Sequence, residues 1–477
     1  MYTEGTIIAL SSPPGSGAIS IIRLSGKDAI ATTDKIFKSN SNKPLSKLEG
    51  QSLTYGVLSD GKEVIDEVVI SIYRAPHSYT GEDIVEISCH GSPYIQQRII
   101  STFLDKKVRL ASPGEFTLRA YLNNKKDLSQ AEAVSDLIAS ESKEAHRVAM
   151  DQMRGGYSTE IEHLREKLID FKSLIELELD FSEEDVEFAN RDDLNKLLDE
   201  LDTKLSKLID SFSYGNVIKE GVTVTIAGKP NAGKSSLLNA ILNDDKAIVS
   251  EIPGTTRDAI EDTCVINGIK FRFIDTAGIR ETKDTIESIG VEKAKSKVGK
   301  SRVLIYLYDR SDISFEELKN EINTFQRDDL QIYLVENKID LLTDSNTDTL
   351  KKKLNDYFNK KEVNLMRIST LDDKDVENLK SEVSKNINLS SENSVVVSNS
   401  RHLDALKKSI SAIESVKKGL KDGLSGDLLS VDLNEAILNI SIITGKIDID
   451  QDILGSIFSK FCIGTVSYTH LTLPTKA

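Results

Sequence analysis

Gly228-Lys229-Pro230-Asn231-Ala232-Gly233-Lys234-Ser235 has the spacing of a phosphate-binding loop, and its flanks put it where such a loop works. Residues 222–227 before it (Val-Thr-Val-Thr-Ile-Ala) read as a buried strand, and residues 236–242 after it (Ser-Leu-Leu-Asn-Ala-Ile-Leu) as an amphipathic helix. Glycines at 228 and 233 let the backbone wrap around phosphate oxygens with its N–H groups turned inward, and the helix N-terminus adds a favourable dipole. Lys234 can reach the β and γ phosphates, and the Ser235 hydroxyl can ligate Mg²⁺. Ala232 and Ser236 complete the segment that would touch phosphate. The implied ligand is a nucleoside triphosphate.

The base is chosen further along. Asp275-Thr276-Ala277-Gly278 follows the strand-like run 269–274, placing a carboxylate near the Mg²⁺ shell and a glycine where it can sense the γ phosphate. Asn337-Lys338-Ile339-Asp340 follows the apolar run 330–335. The Asp340 carboxylate can accept from guanine N1 and N2, donors that adenine cannot supply in this arrangement. Between these motifs, Gly254-Thr255-Thr256-Arg257-Asp258 looks like a first switch, with Thr256 as second Mg²⁺ ligand. In Arg367-Ile368-Ser369-Thr370-Leu371 only Ser369 matches the usual guanine-backing loop. The ordered set predicts an α/β guanine-nucleotide domain.

One absence bears on mechanism. Many signalling GTPases place a water-orienting glutamine directly after the Asp-Thr-Ala-Gly motif, where this chain has Ile279. An isoleucine cannot orient water. The acidic stretch 280–287 is the nearest source of a carboxylate, although from the residues alone Glu287 reads as a solvated charge at a helix start.

The chain around these motifs is 477 residues long with 39% hydrophobic content, enough for two to four folded units. It has no apolar run of bilayer-spanning length, and its first residues lack a basic-then-apolar signal, so a cytoplasmic protein is expected. Cys89, Cys264 and Cys462 lie far apart without metal-ligand spacing, which fits a reducing compartment. A net charge of −15 argues against a broad nonspecific grip on nucleic acid; work on RNA would draw positive surface from a partner.

Residues 1–118 mix short strand-like runs (5–10, 18–24, 83–88) with turn signals such as Pro13-Pro14-Gly15-Ser16-Gly17, which predicts an α+β domain. From 119 the pattern turns helical. A helix starting at Leu128 is expected to continue toward Met153, and 157–179 carries apolar residues at helical spacing. The guanine-nucleotide motifs occupy 217–385, a Ser- and Asn-rich linker follows at 386–394, and helices return at 402–416 and 433–443. The bracketing predicts a nucleotide-binding module inserted into a helical domain divided as 119–216 and 386–464. The helical stripes read as core or as a dimer face.

With Arg23-Leu24-Ser25-Gly26, Tyr79-Thr80-Gly81-Glu82-Asp83, Pro113-Gly114-Glu115-Phe116, Leu128-Ser129-Gln130-Ala131-Glu132-Ala133 and Phe461-Cys462-Ile463-Gly464, the chain resembles the MnmE (TrmE) family of tRNA modification GTPases from residue 1 to about 464. The resemblance implies a multidomain α/β and α protein with an N-terminal folate-binding domain, a helical domain and an inserted Ras-like P-loop GTPase domain. It implies a 5-formyl- or 5,10-methylene-tetrahydrofolate site at Arg23, Glu82 and Lys125, which the residues alone would class as surface charges. It implies a homodimer, tRNA as substrate, and an FAD-dependent partner subunit, MnmG (GidA), with which carbon five of the wobble uridine receives an aminomethyl or carboxymethylaminomethyl group. GTP hydrolysis is K⁺-activated in such proteins; the matching K⁺ positions are Asn231, Ser250, Ile252 and Thr255, with Glu287 as catalytic carboxylate. Cys462, otherwise a small buried hydrophobe, becomes a functional candidate by the same resemblance.

The end of the chain departs from the family pattern. Thr465 stands where a terminal lysine follows the Cys-Ile-Gly motif, and residues 465–477, without a single acidic side chain, read as extraneous. Two other readings are a ribosome-assembly GTPase of the Era or Der type, which would bring a basic RNA-binding domain that this chain lacks, and a nucleotide-regulated scaffold.

Overall fold

Alternating apolar residues in the first hundred positions build a sheet with one well-covered face. The computed structural model describes residues 5–180, 190–243, 262–274, 298–299, 301–327, 329–341, 347–358, 363–385 and 396–446. By their internal contacts these divide into two units, one of 1–139, 149–210 and 400–477, the other of 140–148 and 211–399.

The first unit begins with β1 (Ile7–Leu10), β2 (Ile19–Ser25), α1 (Ala29–Asp34), β3 (Phe37–Ser39), β4 (Ser52–Ser59), β5 (Val64–Tyr73), β6 (Ile84–His90), α2 (Pro93–Leu104), β7 (Arg109–Leu110) and α3 (Glu115–Leu122). The seven strands run in the order β3-β4-β5-β6-β2-β1-β7. All neighbours are antiparallel except β1 and β7. Ile22, Leu24, Ile70, Ile72, Val85 and Ile87 form one core with Ile30 of α1 and with Ile99 and Phe103 of α2. On the opposite face, Phe116 of α3 covers Ile7 and Ala9. The β4–β5 end of that sheet leaves Leu53 (70%), Tyr55 (46%) and Val69 (38%) exposed, with Tyr55 and Val69 as register partners.

Helices complete this unit, although residues 140–148 and 211–220 of the helical segments belong to the other. α4 (Leu128–Ile138) starts at a capping box in which Asp127 and Gln130 satisfy each other's backbone N–H groups, worth about 1 kcal/mol. The expected continuation to Met153 is corrected: the helix stops at Ile138, and α5 (Lys143–Met153) begins anew. Ser142 causes the restart, since its hydroxyl accepts the Ala145 N–H at 3.2 Å and so caps the next helix instead of extending the last. α6 (Gly156–Asp180) and α7 (Arg191–Glu220) follow, then the paired helices Ser400–Lys421 and Gly426–Thr444. Gly419 lets those two approach closely, because a Cβ there would lie 2.8 Å from Leu429 Cδ2.

A polar cluster lies inside this helical part. Glu132 of α4 accepts from Arg401 Nε at 3.1 Å and Nη2 at 3.0 Å, and lies 2.8 Å from His402 Nε2. His402 also meets the Tyr157 hydroxyl, and Arg401 Nη1 donates to the Ile442 carbonyl. Burial works against ionisation of Glu132, yet His402 and Arg401 outweigh it and hold its pKa down at about 2.

The second unit is a doubly wound α/β sheet. β8 (Val222–Gly228), α8 (Lys234–Asn243), β9 (Asp262–Ile266), β10 (Ile269–Phe273), β11 (Val303–Asp309), α9 (Phe315–Phe325), β12 (Gln331–Asn337), α10 (Thr347–Phe358), β13 (Val363–Arg367) and α11 (Asp373–Lys385) follow in chain order. The strand order is β13-β12-β11-β8-β10-β9, and only β9–β10 is antiparallel. Strands buried on both faces need continuous apolar runs, and 303–308 and 332–335 supply them. Ile226, Ile305, Leu307 and Val335 pack against Leu237 of α8 and Leu379 of α11, while Leu304, Tyr306 and Leu334 pack against Ile322 of α9 and Leu354 of α10. Cys89 and Cys264 stand in different sheets, so no disulfide joins them. Among the described residues, no helix is long and apolar enough to cross a membrane.

Candidate functional site

The carboxyl ends of β8, β11 and β12 meet where a ligand would bind in a sheet of this kind. β8 ends at Gly228 with φ +142, where a Cβ would sit 2.0 Å from the Leu307 carbonyl oxygen. The loop turns through Asn231 at φ +62 and Gly233 at φ +99 before α8 begins at Lys234. At Gly233 a Cβ would lie 2.1 Å from Asn337 Nδ2, so both loop glycines are required by close approach as well as by backbone conformation.

Lys234 Nζ donates to the Gly228 carbonyl at 2.9 Å and the Lys229 carbonyl at 2.8 Å. Burial pushes its pKa below the usual lysine value, a shift that an anionic ligand would reverse. Ala232 is buried, Ser235 is half-buried at the helix start, and Asn231 and Ser236 are exposed. A hydroxyl at that position is a hard oxygen donor suited to Mg²⁺.

The base-side residues converge on the same loop. Asn337 is 2% exposed. Its Nδ2 donates to the Ala232 carbonyl at 2.8 Å, and its Oδ1 accepts the Thr370 N–H at 3.1 Å. Lys338, at φ +61, pairs with Asp309 Oδ2 at 2.9 Å. Burial opposes ionisation of Asp309, but hydrogen bonds from Ser311 and Lys338 outweigh it and lower its pKa. The Ser369 hydroxyl donates to Asp340 Oδ1 at 2.7 Å, while the Ser369 N–H donates to Asp375 Oδ2 at 2.8 Å. Asp340 itself is exposed.

Thus Asn231, Ala232, Gly233, Lys234, Ser235, Ser236, Asn337, Lys338, Asp340 and Ser369 occupy one end of one sheet. Ser250, Ile252, Thr255, Thr256, Asp275, Gly278, Glu287 and Cys462 lie outside the described residues. Sequence reasoning missed Asp309, Thr370 and Asp375. An aspartate ending the apolar run 303–308 was the visible signal for the first.

In the other unit, Arg23 and Glu82 are already engaged. Arg23 pairs with Glu86 at 2.7 Å, and its guanidinium lies 5.7 and 5.6 Å from the ring centroids of Tyr79 and Phe116. Glu82 accepts from Arg119 Nη1 at 2.8 Å and from the Ser25 hydroxyl at 2.7 Å. Arg119, 1% exposed and absent from the sequence reading, also meets Glu115 at 3.0 Å. Lys125 lies close by, since a Cβ on Gly81 would come within 3.3 Å of its Cγ.

A phosphate loop and a base-reading Asn-Lys-x-Asp segment at the carboxyl edge of a doubly wound sheet define a P-loop nucleotide-binding protein of the guanine-reading kind. Residues 6–125 match the family model described as the GTP-binding protein TrmE N-terminus, and residues 128–462 match the MnmE helical domain. The chain is 50% identical to the tRNA modification GTPase MnmE of Christiangramia forsetii over 97% of this chain and 100% of the relative. The corresponding figures are 49%, 97% and 100% for that of Flavobacterium johnsoniae, and 49%, 97% and 99% for that of Bacteroides thetaiotaomicron. The chain belongs to the MnmE (TrmE) family. Among solved structures, the G domain of the T. maritima FeoB iron transporter is 21% identical, with a TM-score of 0.24, covering 34% of this chain and 97% of that one.

Proposed function

We propose that this chain is a GTP hydrolase of tRNA modification, whose nucleotide sits between the 228–236 loop and the 337–340 and 369 segments. The observation that carries the reading is Asn337, whose side-chain amide ties the phosphate loop at Ala232 to the base loop at Thr370. Phosphate oxygens would take the loop N–H groups and Lys234, which would exchange its carbonyl partners for the ligand. Asp340, braced by Ser369, would accept from guanine N1 and N2. Ser235 and Thr256 would hold Mg²⁺, and Asn231, Ser250, Ile252 and Thr255 would hold K⁺. A bound cation of this kind supplies positive charge to the phosphates, a role that an arginine finger fills in other GTPases. Because Ile279 cannot orient water, Glu287 is the residue assigned to that task.

The wider reading follows family membership. Residues 1–118, through Arg23 and Glu82 and together with Lys125 just beyond them, would bind a 5-formyl- or 5,10-methylene-tetrahydrofolate and form a homodimer; residues 119–216 and 386–464 would form the helical domain around the GTPase domain at 217–385. The exposed apolar side chains Leu53, Tyr55 and Val69 on one sheet face support the dimer. With an FAD-dependent subunit, the protein would modify carbon five of the wobble uridine of cytoplasmic tRNA. A net charge of −15 favours a partner as the source of positive surface for tRNA. Cys462 would contribute to the modification chemistry.

Base choice is tested by Asp340→Asn. The carboxylamide presents a donor to xanthine O2, so the variant should lose GDP and gain xanthosine diphosphate. Unaltered GDP preference would contradict the guanine reading.

A further inference from the structure

Behind the base-side loops lies a charge cluster that no nucleotide-binding motif requires. Glu336 immediately precedes Asn337 on β12, is 2% exposed, and has Tyr308 of β11 and Arg367 of β13 as register partners. Two guanidiniums approach its carboxylate: Arg310 Nε is 3.5 Å from Oε1, and Arg367 Nε is 3.2 Å from Oε2. Oε1 accepts no hydrogen bond among the described residues. A carboxylate buried with incomplete hydrogen bonding is costly, and replacing the whole Glu336–Arg310–Arg367 set by apolar side chains of similar size would remove that cost. Stability alone does not account for a glutamate here.

Its neighbours do. Arg310 follows Asp309, the partner of Lys338. Arg367 stands two residues before Ser369, the brace of Asp340. The Glu336 carbonyl accepts the Ile368 N–H at 2.8 Å, so backbone and side chain of one residue both reach the root of the Ser369 loop. We propose that Glu336 is a positioning residue for guanine recognition, drawing Arg310 and Arg367 together so that the ends of β11 and β13 are fixed against the Asn337–Asp340 segment. The inference rests on the guanine reading of this site and deepens it. Glu336 touches no ligand; it acts through Asp340, Lys338 and Ser369.

The test titrates the full chain with fluorescent GDP, IDP and ADP. Inosine lacks the 2-amino group, so the GDP:IDP affinity ratio reports one hydrogen bond to the Asp340 carboxylate. Glu336→Gln should lower that ratio by about three- to tenfold, because IDP keeps only the N1–H bond to Asp340 and so loses less than GDP does. The triple replacement Glu336→Leu, Arg310→Met and Arg367→Met, which removes the whole charge cluster, should keep or raise the melting temperature and lose the same discrimination, separating positioning from stability. An unchanged ratio in either folded variant, including an equal loss of GDP and IDP, overturns the proposal. A wild-type chain that binds ADP as well as GDP overturns the guanine reading beneath it.

Discussion

The hydroxyl of Ser369 donates to Oδ1 of Asp340 across 2.7 Å. That bond orients the carboxylate proposed to read guanine, and it leaves Oδ2 directed by geometry rather than by chance. Ser369→Ala should raise the Kd for GDP about five- to tenfold, the effect of about 1–1.4 kcal/mol, within the range for the loss of one hydrogen bond. Equilibrium titration with a fluorescent GDP measures it, and an unchanged Kd would remove Ser369 from the site.

Gly233 permits the approach of Asn337. Its φ of +99 disfavours any side chain, and an added Cβ would sit 2.1 Å from Asn337 Nδ2. Gly233→Ala should therefore push the bridging amide off Ala232 and weaken GTP binding by roughly 100-fold or more, since backbone strain of about 1–3 kcal/mol adds to the lost bridge. Calorimetric titration checks this; near-normal affinity would show that the loop relaxes around the methyl group.

Glu132 gives a pH dependence. Its pKa in the fold is about 2 against an ordinary 4.5, so the ionised form is favoured by folding. The stabilisation is complete above the ordinary value and is lost as the pH falls from 4.5 toward 2. Glu132→Gln should cost on the order of 3 kcal/mol near neutrality, with the gap from wild type narrowing through that acid window. Urea midpoints measured across the window decide the matter, and a pH-independent gap would assign the cost to packing.

Glu287 reads from the residues alone as a solvated charge, and it is proposed as the catalytic carboxylate. Glu287→Ala should keep GTP affinity within about twofold while abolishing cation-stimulated turnover, the signature of a group needed only in the transition state. Normal turnover would return it to the solvated class.

The loops proposed to hold the nucleotide were legible because their chemistry is local. Gly228, Gly233 and Lys234 follow one another within seven residues, and strand and helix periodicities on either side matched β8 and α8. Ser369, the single matching residue of its loop, sits on Asp340. The helix break at 139–142 was missed because the apolar pattern runs across it, whereas one serine hydroxyl decides the restart. Glu336 and Arg119 were invisible for a different reason. Their partners lie on parallel strands or remote loops, and strand register places them together only after the sheet exists: Glu336 meets Arg367 because β12 pairs with β13, a relation that no spacing encodes.

The proposed cation dependence of GTP hydrolysis is read in the rate of GTP turnover by the full chain in K⁺ against Na⁺ at equal ionic strength. K⁺ should stimulate turnover at least about tenfold, as suits a cation filling the electrostatic role of an arginine finger. Equal rates in the two salts would contradict it.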